Sequence, residues 1–226
     1  MNKMNIAIDG PAGAGKSTVA RIVATKLGYV YVDTGAMYRA VTWKALSSGL
    51  TPDQSEPIAA MAQSMRLVLQ PGHNGQVVLA DGQDVTEMIR SPQVTANVSQ
   101  VSQIPAVRER LVKMQKELAQ AKGVVMDGRD IGTQVLPDAE VKVYLTASLR
   151  ERAMRRFDEM KTKHPDLTIE QAEQDLAERD RKDQEREVSP LRQANDAILL
   201  DTTGMGIEQV AERILEISQA SAGKGA

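Results

Sequence analysis

The chain has 226 residues, with 28 Lys+Arg against 30 Asp+Glu and a formal net charge of -2. It contains no cysteine, which removes disulfides, thiolate catalysis, cysteine zinc sites and iron–sulfur clusters. The near-zero net charge argues against broad binding to nucleic acid or a membrane surface. With 26% charged and 42% hydrophobic residues, it has the composition of a folded protein, either one domain with a modest insertion or two small ones.

The first apolar stretch ends at Asp9-Gly10, too short for a signal-peptide core, and no later window approaches the ~20 apolar residues of a spanning helix. The reading is a cytoplasmic protein. Five short runs, Met4–Ile8, Tyr29–Val32, Val124–Met126, Val141–Leu145 and Ala197–Leu200, are apolar almost throughout, as parallel strands covered on both faces should be. Helical periods lie between them. Pro105 opens one, with Val107, Leu111, Met114, Leu118 and Ala121 on its apolar side and Gly123 at its end. Ile207, Val210, Ala211, Ile214 and Leu215 mark another, and the small, polar tail from Ser218 is expected to fray. Ser148 with Glu151, and Thr168 with Gln171, read as capping boxes. Strands alternating with helices predict an α/β protein with a parallel sheet. Arg66–Val85 interrupts the alternation with two strands, Arg66–Leu69 and Gln76–Ala80. Turns are expected at Pro71-Gly72-His73-Asn74-Gly75 and at Asp81-Gly82, so this piece reads as a β-rich insertion.

Gly10-Pro11-Ala12-Gly13-Ala14-Gly15-Lys16-Ser17 satisfies G-x-x-x-x-G-K-[ST], with a strand before it and a helical pattern after it. Small residues let the backbone curl so that successive N–H groups point at phosphate oxygens, and the next helix adds its positive end. Lys16 is expected to reach the β- and γ-phosphates, and Ser17 to hold Mg²⁺ with Thr18 as a second candidate. The loop predicts nucleoside triphosphate binding but does not choose between a kinase, a GTPase and a motor. Asp127, ending the third strand, is the expected Mg²⁺ partner, directly or through water. Asp33-Thr34-Gly35-Ala36-Met37-Tyr38-Arg39 comes after the second strand. In an open parallel sheet ligands bind beyond the carboxyl ends of strands, so Asp33, Thr34, Tyr38 and Arg39 are placed to face a ligand, although Tyr38 and Arg39 taken alone read equally as surface packing. Thr34 can also cap the helix.

Four motifs in one order, Asp9 to Thr18, Asp33 to Arg39, Asp127-Gly128-Arg129-Asp130-Ile131-Gly132-Thr133, and Arg179-Asp180 through Arg186-Glu187-Val188-Ser189-Pro190-Leu191, resemble the bacterial cytidylate kinase family over essentially the whole chain. The resemblance implies the P-loop nucleoside monophosphate kinase fold: a five-stranded parallel sheet flanked by helices, with a small β-rich insert and a helical lid. It divides the chain into a core (about 1–33, 104–150 and 190–221), a CMP-binding region (about 34–103) and an arginine-rich lid (about 151–189). It implies transfer of the γ-phosphoryl of ATP to CMP or dCMP with Mg²⁺, small nucleotides as the only partners, and no nucleic acid polymer, membrane or obligate protein partner. It further implies a CMP site of Thr34, Tyr38, Arg39, Ser99, Arg108, Arg129, Asp130, Arg179, Asp183 and Arg186. Of these, Arg39, Arg129 and Arg186 would hold the acceptor phosphate, while Arg152, Arg156 and the lid arginines would neutralise the transferring group.

The assigned chemistry suits cytosine. Asp130 can accept from its N4 amino group, and Arg108 can donate to N3 and O2 with Ser99 as a hydroxyl partner. Uracil would present O4 to the carboxylate and N3–H to the guanidinium. On spacing alone, Ser99 is one residue of the Val94–Val101 helix and Arg108 a first-turn residue of the next. Eight of the sixteen arginines fall within Ser148–Arg192. Arg152 and Arg156, four apart, share a helix face, and so do Arg179, Asp183 and Arg186 if the helix runs through them. Glu178–Glu187 has nine charged residues in ten and little apolar stripe, which predicts weak docking. A kinase with another acceptor, such as UMP or AMP, and a P-loop switch protein remain alternatives; the chain has no N-K-x-D motif for a guanine base.

Overall fold

The computed structural model describes residues 3–72, 75–162 and 165–223; the expected turn residues His73 and Asn74 lie outside the described residues. In chain order the elements are β1 (Asn5–Asp9), α1 (Lys16–Leu27), β2 (Val30–Asp33), α2 (Thr34–Ser47), α3 (Ser55–Ser64), β3 (Leu67–Gly72), β4 (Gly75–Ala80), β5 (Gln83–Asp84), α4 (Pro92–Val101), α5 (Pro105–Ala119), β6 (Val124–Gly128), β7 (Val141–Thr146), α6 (Leu149–Met160), α7 (Ile169–Glu185), β8 (Ile198–Asp201) and α8 (Ile207–Ala222). A π-helical turn, Ile131–Val135, comes after β6. The chain forms two compact units, Met1–Val30 with Lys122–Ala226, and Tyr31–Ala121.

The main sheet is five-stranded and parallel, in the order β2-β6-β1-β7-β8. Central β1 pairs with β6 from Asn5 to Val124 and with β7 from Ile6 to Val141. Every residue of β1 and β6 is buried, as an apolar run covered on both faces requires. The outer strand β8 departs from that expectation. Ile198 and Leu199 are 46% and 56% exposed, because a strand at the sheet edge lacks cover on one side. The five apolar runs match the strands within one or two residues.

The Tyr31–Ala121 unit packs Met37, Val41, Ile58, Val78, Val98, Val107 and Leu111 into one apolar cluster. Its antiparallel sheet has three strands, β3-β4-β5, one more than the sequence suggests, because the Asp81-Gly82 turn leads into a two-residue strand. The buried stripe of α5 runs through Val107, Arg108, Leu111, Gln115 and Ala119, whereas the expected core residue Leu118 is 43% exposed. The stripe has rotated so that a guanidinium and an amide lie on the inner side.

Two local expectations are corrected. Asp33, not Thr34, caps α2, its side chain accepting the Ala36 N–H at 2.8 Å. The tail does not fray at Ser218. Helix α8 continues to Ala222 and buries Ile217 and Ser218, the serine hydroxyl donating to the Ile214 carbonyl, while Ile207 at its start is exposed. Thr168 forms the full capping box with Gln171, and Ser148 accepts the Glu151 N–H.

Candidate active site

Between β1 and α1 the chain turns through glycines in backbone conformations that side-chain-bearing residues rarely adopt. Gly10 has φ +150°, and a Cβ there would lie 2.0 Å from the Leu145 carbonyl oxygen. Gly15, at φ +82°, starts α1 from the left-handed region. The loop residues Gly10, Pro11, Ala12, Gly13, Ala14, Gly15, Lys16, Ser17 and Thr18 thus form the strand–turn–helix that phosphate cradling requires, with the first amides of α1 at its end.

Lys16 is buried and donates to the Pro11 carbonyl at 2.7 Å. Burial, then the neighbouring charge of Arg129, pushes its pKa well below the usual lysine range; Asp127 works against that shift. Ser17 donates its hydroxyl to Asp127 at 2.8 Å. A hydroxyl and a carboxylate oxygen beside the loop lysine are the hard oxygen donors that Mg²⁺ takes. The expected pair is therefore brought together, although among the described residues no group of three or more His, Cys, Asp or Glu could hold a metal ion.

Beyond β6 lies a buried charge network. Arg129 donates through Nε to Asp183 at 2.8 Å. Burial opposes the charges of both groups, but each holds the other ionised. The Asp183 pKa falls below the carboxylate norm, with Arg129 and Arg179 outweighing burial, and that of Arg129 rises. Asp130 stands 3.4 Å from Arg186. Arg186 is not on the helix face predicted for it. Helix α7 stops at Glu185 and Arg186 is extended (ψ 138°), its Nε donating to the Ser189 carbonyl. Ser189 has φ +51° immediately before Pro190, a strained backbone for a residue in that position.

Helices α6 and α7 pack on each other and on the phosphate loop. Ala12, Ala153, Ala172 and Leu176 form an apolar cluster. The buried stripe of α7 is Ala172, Leu176, Asp180 and Asp183, so the expectation of weak docking is corrected: carboxylates occupy the C-terminal half of an otherwise apolar stripe. Arg152 and Arg156 do not act alike. Arg152 is buried and paired with Asp180 at 2.6 Å, whereas Arg156 pairs with Glu159 at 3.6 Å and stays half-buried.

In the Tyr31–Ala121 unit, Thr34 opens α2 and is buried, with Tyr38 and Arg39 on the next turn. The Arg108 guanidinium lies over the Tyr38 ring, 5.4 Å from its centroid, and donates to the Ser102 carbonyl at 3.2 Å. Ser102 in turn donates to the Ser99 carbonyl. Gln76 of the insert holds the end of β2 through both ends of its amide, accepting from Asp33 N–H and donating to the Tyr31 carbonyl. Five expected acceptor residues thus lie in this unit, and the other five in the unit that carries the phosphate loop.

Two residues escaped the sequence reading. Asp9 is buried and accepts the Ile131 and Gly132 N–H groups at 2.8 and 2.7 Å, tying the start of the loop to the segment after Arg129-Asp130. Burial raises its pKa to about 6 against the pull of those two amides. The signal was a carboxylate closing an unbroken apolar strand. The other is Asp180, four residues beyond Leu176 on the apolar stripe of α7.

A parallel sheet carrying a complete phosphate loop, a buried lysine, a hydroxyl–carboxylate pair and a network of arginine–carboxylate pairs defines a P-loop phosphotransferase. The family model described as cytidylate kinase matches residues 6–220, and the chain belongs to that family. It is 52% identical over 217 residues to a cytidylate kinase of Caldicellulosiruptor bescii, covering 96% of each chain. A cytidylate kinase of Bacillus cereus is 52% identical over 215 residues, covering 95% of this chain and 96% of its own. An uncharacterised protein from Eubacterium ventriosum shares the fold at 10% identity and TM-score 0.53, covering 95% and 97% of the two chains.

Proposed function

We propose that this chain transfers the γ-phosphoryl group of ATP to CMP and dCMP. Membership of the cytidylate kinase family supports the reaction. The observation that carries the catalytic reading is the convergence of Lys16, Ser17–Asp127, the partly buried Arg129–Asp183 pair and the buried Arg186–Asp130 pair beside one phosphate loop. The loop amides and Lys16 bind and orient the triphosphate. Ser17 and Asp127 would hold Mg²⁺, which when bound neutralises phosphate charge. Arg39, Arg129 and Arg186 hold the acceptor phosphate, and Arg156 adds positive charge near the transferring group. The acceptor is already a phosphate oxygen, so positioning and charge stabilisation suffice without a general base. Arg108, Ser99 and Asp130 read cytosine, with Thr34, Tyr38, Arg179 and Asp183 completing the site. Residues 34–103 form the acceptor region and 151–189 a lid that excludes water.

No helix among the described residues is long and apolar enough to cross a membrane. A cytoplasmic setting goes with the reading, because both substrates are cytoplasmic metabolites. The test is acceptor-dependent ADP release with CMP, dCMP, UMP and AMP. CMP and dCMP should exceed the others in kcat/KM by about 10⁴-fold, the discrimination that a site built on buried hydrogen bonds gives. Equal rates with UMP or AMP, or hydrolysis that needs no acceptor, would overturn it.

A further inference from the structure

The Asp180 carboxylate closes a ring on one residue of the phosphate loop. Its Oδ1 accepts the Ala12 N–H at 3.0 Å, and its Oδ2 accepts from Arg152 Nη1 at 2.6 Å. That same Nη1 donates to the Ala12 carbonyl at 2.9 Å. Both peptide groups of Ala12 are therefore bound by one ion pair, much as a neighbouring strand would bind them. Arg152 is itself fixed from α6, its Nε donating to the Ala147 carbonyl at 3.0 Å. All the residues involved are buried. Packing around the ring agrees with it. A Cβ on Gly13 would stand 3.3 Å from Arg152 Cβ and 3.4 Å from Leu176, so the loop and the two helices are already in close contact.

This arrangement does not suit Arg152 to hold a phosphate. Two of its nitrogens are committed to three acceptors, and one of those is a carboxylate that offsets its charge. Moving it to a substrate would strip buried Asp180 of the cation it is hydrogen-bonded to and leave it only the charge of Arg129, which is unfavourable. The pair is built to read the backbone.

We propose that Arg152 and Asp180 are positioning residues: a latch by which the α6–α7 lid seats on Ala12 and fixes the phosphate loop. Asp180 comes directly after Arg179, lies one turn before Asp183, and is six residues before Arg186. Seating it on Ala12 therefore brings the arginines that act on phosphate to Lys16 and Arg129 together with a set loop. Lid docking and donor-site geometry become one event. The contacts stand by themselves; their catalytic consequence rests on the kinase reading above.

Asp180→Asn keeps an oxygen for the Ala12 N–H but turns an amide NH₂ toward Arg152. In the full-length protein, hydrogen exchange at Ala12 and Gly13 should rise by about tenfold or more, with protection at Ile6–Ile8 unchanged. The kcat should fall about 10- to 100-fold while KM for CMP changes less than about threefold, as expected when orientation and not affinity is lost. The double variant R152M/D180L replaces the buried ion pair by apolar side chains, so no charge is left buried without a partner, and its Tm should fall only by the loss of partners at the Ala12 and Ala147 backbone groups. It should not recover kcat, because neither side chain binds the Ala12 peptide groups; it also carries the test if Asp180→Asn does not fold. Wild-type exchange at Ala12 in R152M/D180L, which keeps no side-chain acceptor for that N–H, would overturn the latch whatever the reaction. Recovery of kcat in the double variant would reduce the pair to a packing role and overturn its part in positioning. Absence of CMP phosphorylation by the unmodified chain would instead overturn the kinase reading and leave the exchange result intact.

Discussion

The two compact units hold their functional residues by different physics. In the unit formed by Met1–Val30 and Lys122–Ala226, the site is made of backbone amides and buried charges that constrain one another: Lys16 against Arg129, Arg129 against Asp183, Asp9 on two amides, Asp180 on Ala12. In the Tyr31–Ala121 unit, a continuous apolar core does the holding, and the polar residues sit at its margins on α2, α4 and α5. In the first case buried Lys16 and ionised Asp9 oppose the stability of the fold that carries them, while Asp183 supports it. In the second, a functional group such as Arg108 is also part of what keeps the core satisfied.

Lys16→Ala should show this contrast most sharply. Turnover should fall by about 10³-fold or more, because preorganised charge at the transferring group is lost. Yet the melting temperature should hold or rise, since burial already disfavours the lysine cation. Near-normal turnover in the ADP-release assay would break the donor assignment, and a large fall in Tm would break the contrast.

Arg108→Met should behave in the opposite sense. The KM for CMP should rise about tenfold, with the KM for ATP little changed, as expected when one recognition contact is removed. Stability should fall by about 1–3 kcal/mol, because the Ser102 carbonyl loses its donor. Urea unfolding and steady-state kinetics on the same variant separate the two effects. A stabilised Arg108→Met would mean the units do not differ in this way.

The smallest expected effect is a titration. The Asp9 carboxyl, tracked by carbon NMR in the folded protein, should titrate near 6 and not near the ordinary 3.8. Between those values the folded chain holds a proton that the unfolded chain releases. The contribution of Asp9 to stability therefore grows as pH falls from about 6 toward 3.8, and its ionised form opposes folding at neutral pH. Asp183 has the reverse sign. Its pKa is depressed, so its contribution is present above its unfolded pKa and is lost as pH falls through the folded one. An Asp9 midpoint below about 4 would show that the Ile131 and Gly132 amides outweigh burial.

The two sites were not equally legible in the sequence. The phosphate loop could be read because backbone curvature demands glycine, and phosphate binding lysine and serine, at fixed spacing, and Asp127 could be read because it closes an apolar run near the end of β6. Thr34, Tyr38 and Arg39 could be placed beyond a strand end but carry no spacing rule that gives them a role. Ser99 and Arg108 came only through family resemblance. Apolar runs revealed every strand of the parallel sheet, but the exposure of Ile198 and Leu199 depends on where β8 falls in the sheet order, which composition does not encode. Arg186 lies off the helix face that its spacing predicts because nothing local marks the end of α7 at Glu185. Asp9 and Asp180 act on amides more than a hundred residues away, so their partners left no local trace.

The position of β1 between β6 and β7 has a consequence for how the protein is made. Its partners begin at Val124 and Val141, more than a hundred residues downstream, while the whole Tyr31–Ala121 unit is contiguous and closes its core from nearby segments. As the chain leaves the ribosome, the Tyr31–Ala121 unit has all of its core before β1 has a strand beside it. The donor site is thus the late, high-contact-order step of folding. A truncated or stalled chain would be structured around Tyr38 and Arg108 and still lack an ordered place for ATP.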